Sequence, residues 1–162
     1  MEVKARTTMM TPNYRQTLDK LKTKNMKKIT VHVSWYEKNF GASLGEEVPG
    51  AVVLTAKTFE ELQQAVPETL RFHVEGLLED EDEEVPEWLA KGDYEFEWDL
   101  DTAALLQVCS QYATLAAISR ASGVNERQLS HYANGTKKPR QPQRQRIVEG
   151  LHKIGRSLMT FM

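Results

Sequence analysis

One cysteine, Cys109, serves the whole chain of 162 residues, which excludes an internal disulfide and leaves a thiolate zinc site without its ligands. The four histidines, His32, His73, His131 and His152, are scattered without a close pair, so an imidazole metal site has no more support. A glycine-rich phosphate loop is missing, and no serine, cysteine or lysine has a base at a spacing that would mark it as a nucleophile. No apolar run approaches the roughly 20 residues that cross a bilayer. The opening stretch MEVKARTTMMTPNYRQTLDK is basic but lacks the unbroken apolar segment of a secretory signal. These absences predict a cytoplasmic protein with no membrane span, no cofactor, no metal and no catalytic activity. Cys109 falls in the apolar pattern Leu105, Leu106, Val108 and is expected in a core.

Net charge is also nearly absent, −2 overall, yet the average hides a strong segregation. Residues 1–28 carry 8 Lys/Arg and 2 Asp/Glu, residues 29–101 carry 4 and 19, and residues 102–162 carry 9 and 2. A basic end suits phosphate, and an acidic middle suits something cationic. The sequence divides accordingly into a basic, flexible extension over 1–25, an acidic domain over 26–100 and a basic domain over 101–162.

Regular patterning begins after Met26. Ile29, Val31, Val33 and Trp35 alternate with polar residues, as in a half-buried strand. Phe40, Ala42 and Leu44 alternate in a second strand, and Pro49-Gly50 turns the chain into a third, Ala51–Ala56. Thr58-Phe59-Glu60-Glu61 then reads as a capping box that opens a helix. Its face is Phe59, Leu62, Val66, Leu70 and Val74 or Leu77, with a kink expected at Pro67. The six consecutive acids Glu79–Glu84 end this helix, and Val85-Pro86-Glu87-Trp88 reads as a linker. Tyr94, Phe96, Trp98 and Leu100 alternate with Glu95, Glu97 and Asp99 in a fourth strand that has one aromatic and one acidic face. The predicted order is β-β-β-α-β.

After Asp101 the pattern becomes helical, with Thr102–Ser110 as a first stretch. Residues 115–135, LAAISRASGVNERQLSHYANG, carry a helix-turn-helix pattern. Ile118 and Ser122 face inward, Ser119 is small where helices approach, Gly123 supplies a left-handed turn residue and Val124 plugs the turn. Asn125 and Gln128 read as a second capping box, Leu129 and Tyr132 face inward, and Asn134-Gly135 closes the helix. Asn125, Arg127, Ser130, His131 and Asn134 occupy the outer face, where they could meet base edges or phosphates. Lys137, Lys138 and Arg140 follow where the chain would cross a phosphate backbone. Arg144 and Arg146 read either as further phosphate contacts or as a solvated face. Ile147, Leu151, Ile154, Leu158 and Phe161 form an apolar helical stripe that suits either core packing or a dimer seam, with Gly150 and Gly155 expected at close packing.

The strand and helix order from Lys28 to Leu100, the Val48-Pro49-Gly50 turn and the Thr58–Glu61 helix start resemble HicB antitoxins. The region after Asp101 resembles the Cro/repressor helix-turn-helix that many of them carry. Together the matches cover about residues 28–145. The resemblance implies an α+β protein, a partial ribonuclease-H-like domain followed by an all-α DNA-binding domain. It further implies an acidic domain that blocks HicA, a small basic toxin that cleaves messenger RNA, and a second domain that represses the shared operon. Glu95, Glu97 and Asp99 are the candidate toxin contacts. The first hairpin departs from the family, with Glu37-Lys38-Asn39-Phe40 in place of an acidic, glycine-rich turn.

A ribonuclease-H-like fold raises two-metal catalysis, which needs converging carboxylates. Strand Ile29–Tyr36 contains no Asp or Glu, so that chemistry has no central ligand. The reading is therefore a non-enzymatic antitoxin and repressor, with operator DNA, a basic HicA-like toxin and a second copy of itself as partners. The alternative is a stand-alone regulator whose acidic domain binds another ligand or dimerises.

Overall fold

The computed structural model describes residues 26–81 and 83–162, and the predicted N-terminal extension, 1–25, lies outside the described residues. The protein has an α+β fold. Strands β1 (Lys27–Tyr36), β2 (Asn39–Leu44) and β3 (Val53–Ala56) precede helix α1 (Phe59–Glu79), the short helix α2 (Glu87–Lys91) and strand β4 (Tyr94–Leu100). Helices α3 (Thr102–Cys109), α4 (Leu115–Ser122), α5 (Glu126–Ala133) and α6 (Gln141–Thr160) complete the described chain.

The sheet order is β3-β2-β1-β4, with antiparallel pairs β1/β2 and β2/β3 and a parallel pair β1/β4. Period-two alternation puts Ile29, Val31 and Val33 on one face, opposite Phe96, Trp98 and Leu100 in β4. That face is covered by α1, whose Leu62, Val66, Leu70 and Val74 are buried. Each such side chain, fully buried, contributes about 1.5–3 kcal/mol against the entropy of ordering it. Edge-to-face ring pairs continue the contact, with centroids 4.8 Å apart for Trp35–Phe40 and 5.4 Å for Phe59–Trp98.

The helix start is the predicted one. Thr58 Oγ1 accepts the Glu61 amide at 3.1 Å, and Glu61 Oε2 accepts the Thr58 amide at 3.3 Å. Helix α1 continues through Pro67 as one element of 21 residues and stops at Glu79, where the acidic run begins. The expected linker after that run is partly helical. In α2 only five residues coil, held because Leu89 is buried beneath Val48, Val52 and Leu70, and Gly92 (φ 75°) ends the turn.

A second core gathers Leu106, Ile118, Val124, Leu129, Tyr132, Ala133 and Ile147 from the last four helices. Helix α3 belongs to both cores. Ala104 packs into the sheet core with Val31, Val33 and Leu62, while Leu106 packs into the helical one. The apolar stripe of α6 divides: Ile147 is fully buried and Leu151 and Ile154 pack beside it, but Leu158 and Phe161 are 55% and 85% exposed. Helices α4 and α6 approach closely at Ser122 and Gly150. A Cβ on Gly150 would stand 2.7 Å from Ser122 Cβ and 2.8 Å from its backbone nitrogen. Gly155, expected to permit similar packing, has nothing within 4 Å.

Candidate nucleic-acid interface

The helix pair α4 and α5 is set by local chemistry. Thr114 Oγ1 accepts the Ala117 amide at 3.1 Å and opens α4. Gly123, at φ 70°, ends it in the left-handed region, where a side chain would be strained. Ser122 Oγ donates to the Ile118 carbonyl at 2.7 Å and accepts the Val124 amide at 3.2 Å. Val124, 2% exposed, fills the space inside the turn. Asn125 caps α5 by accepting the Arg127 amide at 2.9 Å. The expected reciprocal box with Gln128 is not formed: the asparagine side chain reaches the second amide of the helix, and the cap is one-sided.

Helix α5 turns Leu129, Tyr132 and Ala133 inward. Arg127, His131 and Asn134 recur at spacings of four and three, with Ser130 beside them, so one helical face presents all four. Asn125, Arg127 and Asn134 are exposed, and Ser130 and His131 are partly exposed. Past the helix the chain reverses at Gly135 (φ 71°), and the Lys137 amide donates to the His131 carbonyl at 3.3 Å. That bond ties the loop to the end of α5 and leaves Lys137, Lys138 and Arg140 exposed. Seven of the eight residues read from sequence are thus brought onto one helix face and the loop that follows it, and the eighth, Asn125, caps the start of the helix.

Arg144 has a different place from either sequence reading. Its guanidinium donates to Thr102 Oγ1 and to the Leu100 carbonyl, each at 2.8 Å, and so fastens α6 to the junction of β4 and α3. Gln107 Nε2 donates to the Ala133 carbonyl at 2.7 Å, steadying the end of α5 from α3.

Glu95, Glu97 and Asp99 lie together on the sheet face away from α1, as the alternation predicts. The parallel register sets Lys28, Thr30 and His32 of β1 directly beside them. Lys28 Nζ stands 3.5 Å from Glu97 Oε1, and His32 Nδ1 stands 3.1 Å from Asp99 Oδ2. These exposed contacts add little stability, but the Lys28 ammonium offsets part of the negative charge of that face. Further acids lie on α1, at Glu60, Glu61, Glu68, Glu75 and Glu79.

Burial pushes the Cys109 thiol and the Tyr94 phenol up from their ordinary values. Cys109 is half-buried rather than fully enclosed. Because the nucleophile is the thiolate, the native thiol should alkylate more slowly with iodoacetamide at pH 8 than the same thiol in the urea-unfolded chain. Its rate should rise with pH to a midpoint above that of the unfolded chain. Equal rates and midpoints in the two states would remove burial as a control on this residue.

Among the described residues, no cluster of His, Cys, Asp and Glu could hold a metal ion, and no helix is long and apolar enough to cross a membrane. Comparison of the chain with family models, curated proteins and solved structures finds no match.

Proposed function

We propose that this protein is a DNA-binding repressor that doubles as the antitoxin of a HicA/HicB-type pair, acts in the cytoplasm, and works without a cofactor or catalysis. The observation that carries the DNA half is the stripe Arg127, Ser130, His131, Asn134 on a capped second helix, followed directly by Lys137, Lys138 and Arg140. A helix of this width, with short polar and cationic groups outward, suits the major groove, where Arg127 and His131 would meet base edges. Asn125, Ser130, Asn134 and the loop cations would set its register on phosphates. Reading paired half-sites requires a second copy of the chain.

The antitoxin half is supported by the β-β-β-α-β order, interrupted only by the short α2 before β4, and by the acidic surplus of residues 29–101, which would speed encounter with a basic protein. A stand-alone regulator is the second reading. It is favoured by the ion pair of Lys28 with Glu97 and by the contact of His32 with Asp99, which occupy two of the three acids first expected to meet a toxin.

The DNA assignment makes a two-part prediction on the duplex upstream of the gene. Arg127→Ala should cost about 1–3 kcal/mol of binding and relax discrimination among sequences. Lys137→Ala should weaken binding to every sequence and reduce the salt slope by about 1. Undiminished affinity in the double variant would remove α5 and its loop from the interface. The antitoxin half is tested by co-expression with a basic protein encoded next to the gene. Growth rescue by the full chain supports it, and operator binding without any rescue favours the regulator.

A further inference from the structure

The β1–β2 hairpin is unexplained by either half of this reading. It turns through Glu37 (φ 49°) and Lys38 (φ 63°), two consecutive left-handed residues of which neither is glycine. Such a turn matches the twist of the paired strands but normally uses Asn-Gly or Gly-Gly, and each side chain here costs about 1–2 kcal/mol of local strain. Asn39 Nδ2 donates to the Glu37 carbonyl at 3.2 Å and helps to hold the turn. At this tip Tyr36 is 73% exposed and Lys38 is exposed.

This tip does not stand alone. The loop after α5 packs against it closely enough that a Cβ on Gly135 would lie 3.4 Å from the Trp35 carbonyl oxygen. Between them runs an open cleft of about 740 Å³, with Ser34, Tyr36 and Ser43 on the sheet side and Lys137 and Lys138 on the loop side. Asp99 and Asp101 also border it and bring two negative charges, with Asp99 held by His32 and Asp101 by the Ala104 amide at 2.7 Å, while Lys137, Lys138 and Arg144 set three cations against those two carboxylates. Neither lysine makes an ion pair among the described residues. The cleft therefore offers neutral hydroxyl donors on one wall and two ammonium groups free of ion pairs on the other, with a small positive surplus over its whole lining.

We propose that this cleft is a second phosphate-binding element, which takes the sugar-phosphate backbone of duplex DNA where it leaves the recognition helix. Ser34 and Tyr36 donate hydroxyl hydrogen bonds to phosphates whose charge Lys137 and Lys138 offset, and Lys38 at the tip meets the adjoining phosphate. The cleft is open rather than enclosed, and the hydroxyls and ammonium groups along it suit an extended polyanion better than a small molecule held on all sides. The proposal rests on the DNA-binding reading above and extends its footprint onto the sheet domain, which that reading assigns to a protein partner alone.

The test uses the full chain and two fluorescent duplexes, the upstream sequence and an unrelated one, each roughly two helical turns long. Anisotropy titrations over a range of salt concentrations compare wild type with Lys38→Ala, with Tyr36→Phe/Ser34→Ala and with Lys137→Ala. Lys38→Ala should reduce the salt slope by about 1 on both duplexes, as expected for a lost phosphate contact. Tyr36→Phe/Ser34→Ala keeps the ring and every charge, so affinity should fall roughly 3- to 30-fold with the slope unchanged, the signature of lost neutral donors. These positions are exposed or at the surface, and unchanged thermal melts verify that the fold is retained. Wild-type affinity and slope in both hairpin variants, with a reduced slope in Lys137→Ala, would overturn the cleft and leave the helix-turn-helix reading standing. If wild type binds neither duplex at low salt, the DNA-binding reading fails and the cleft proposal with it.

Discussion

Replacing Gly150 with alanine is expected to lower stability by about 2 kcal/mol, although the same change in an open helix would raise it by about 1 kcal/mol. The added methyl has nowhere to go. It would stand 2.7 Å from Ser122 Cβ, 2.8 Å from Ser122 N and 2.9 Å from Ser122 Cα, and two of those three atoms are backbone that no rotamer change can move. Helices α4 and α6 would have to separate, which opens the core around Ile118 and Ile147, both fully buried. Gly150→Val, with two further carbons, should be worse. Gly155→Ala, five residues along the same helix with open space around it, is the matched control and should stabilise by about 1 kcal/mol. For a chain of this size, 1 kcal/mol moves the melting midpoint by about 2–4 °C, so the two alanine variants should melt on opposite sides of wild type. Melting in the same direction would mean that the close approach at Ser122 is relieved at no cost.

The same two glycines show where reading the sequence stops. Both interrupt an apolar stripe, and both look like sites of helix contact. Only the packing of α4 separates the one that touches from the one that does not. Features encoded within a few residues appear where they are expected: the reciprocal Thr58–Glu61 box, the left-handed Gly123 and the alternation in β4. Apart from the Asn125–Gln128 box, which is local and forms only a one-sided cap, the features missed are those that depend on distant chain. The partners of Arg144, Leu100 and Thr102, lie more than forty positions away, and nothing near position 144 announces them. The weakening of the acidic face needs the parallel register of β1 on β4, since an antiparallel pairing would set different side chains beside Glu97 and Asp99. Helix α2 is too short to show a period, and the burial of Leu89 holds it. Of the candidate site, the residue types and their helical spacing were legible. The cleft was not, because the hairpin and the loop that flank it are about a hundred residues apart in the chain.

The two halves divided at Asp101 should differ sharply when expressed apart. Among the described residues, 101–162 contain every member of the helical core and take from the sheet core the buried Ala104 and the partly buried Val108 packed against it. Residues 26–100 lose more. Ala104, fully buried against Val31, Val33 and Leu62, is removed, as is Val108 beside it, so the end of the sheet core is uncovered. The Leu100 carbonyl loses the Arg144 guanidinium, and the Val33 carbonyl loses the Asp101 amide that accompanies it at 2.8 Å. Hydrogen bonds from a charged donor are worth about 1.5–3 kcal/mol where they are shielded, and the half-buried position of Arg144 puts it at the lower end. With the lost apolar cover, the penalty should reach about 3 kcal/mol or more, a large fraction of what holds a domain of this size together. The expected result is a cooperative thermal transition for 101–162 and a broad or absent one for 26–100. Extending the first fragment to residue 110 restores α3, with Ala104 and Val108, and should sharpen its transition without restoring the Arg144 contact. In the full chain, Arg144→Ala should lower stability while leaving the salt slope of DNA binding unchanged, because this cation is committed to Leu100 and Thr102. A fully cooperative 26–100, as stable as 26–110, would show that α3 contributes nothing to the sheet core and that the chain divides at Asp101 without cost.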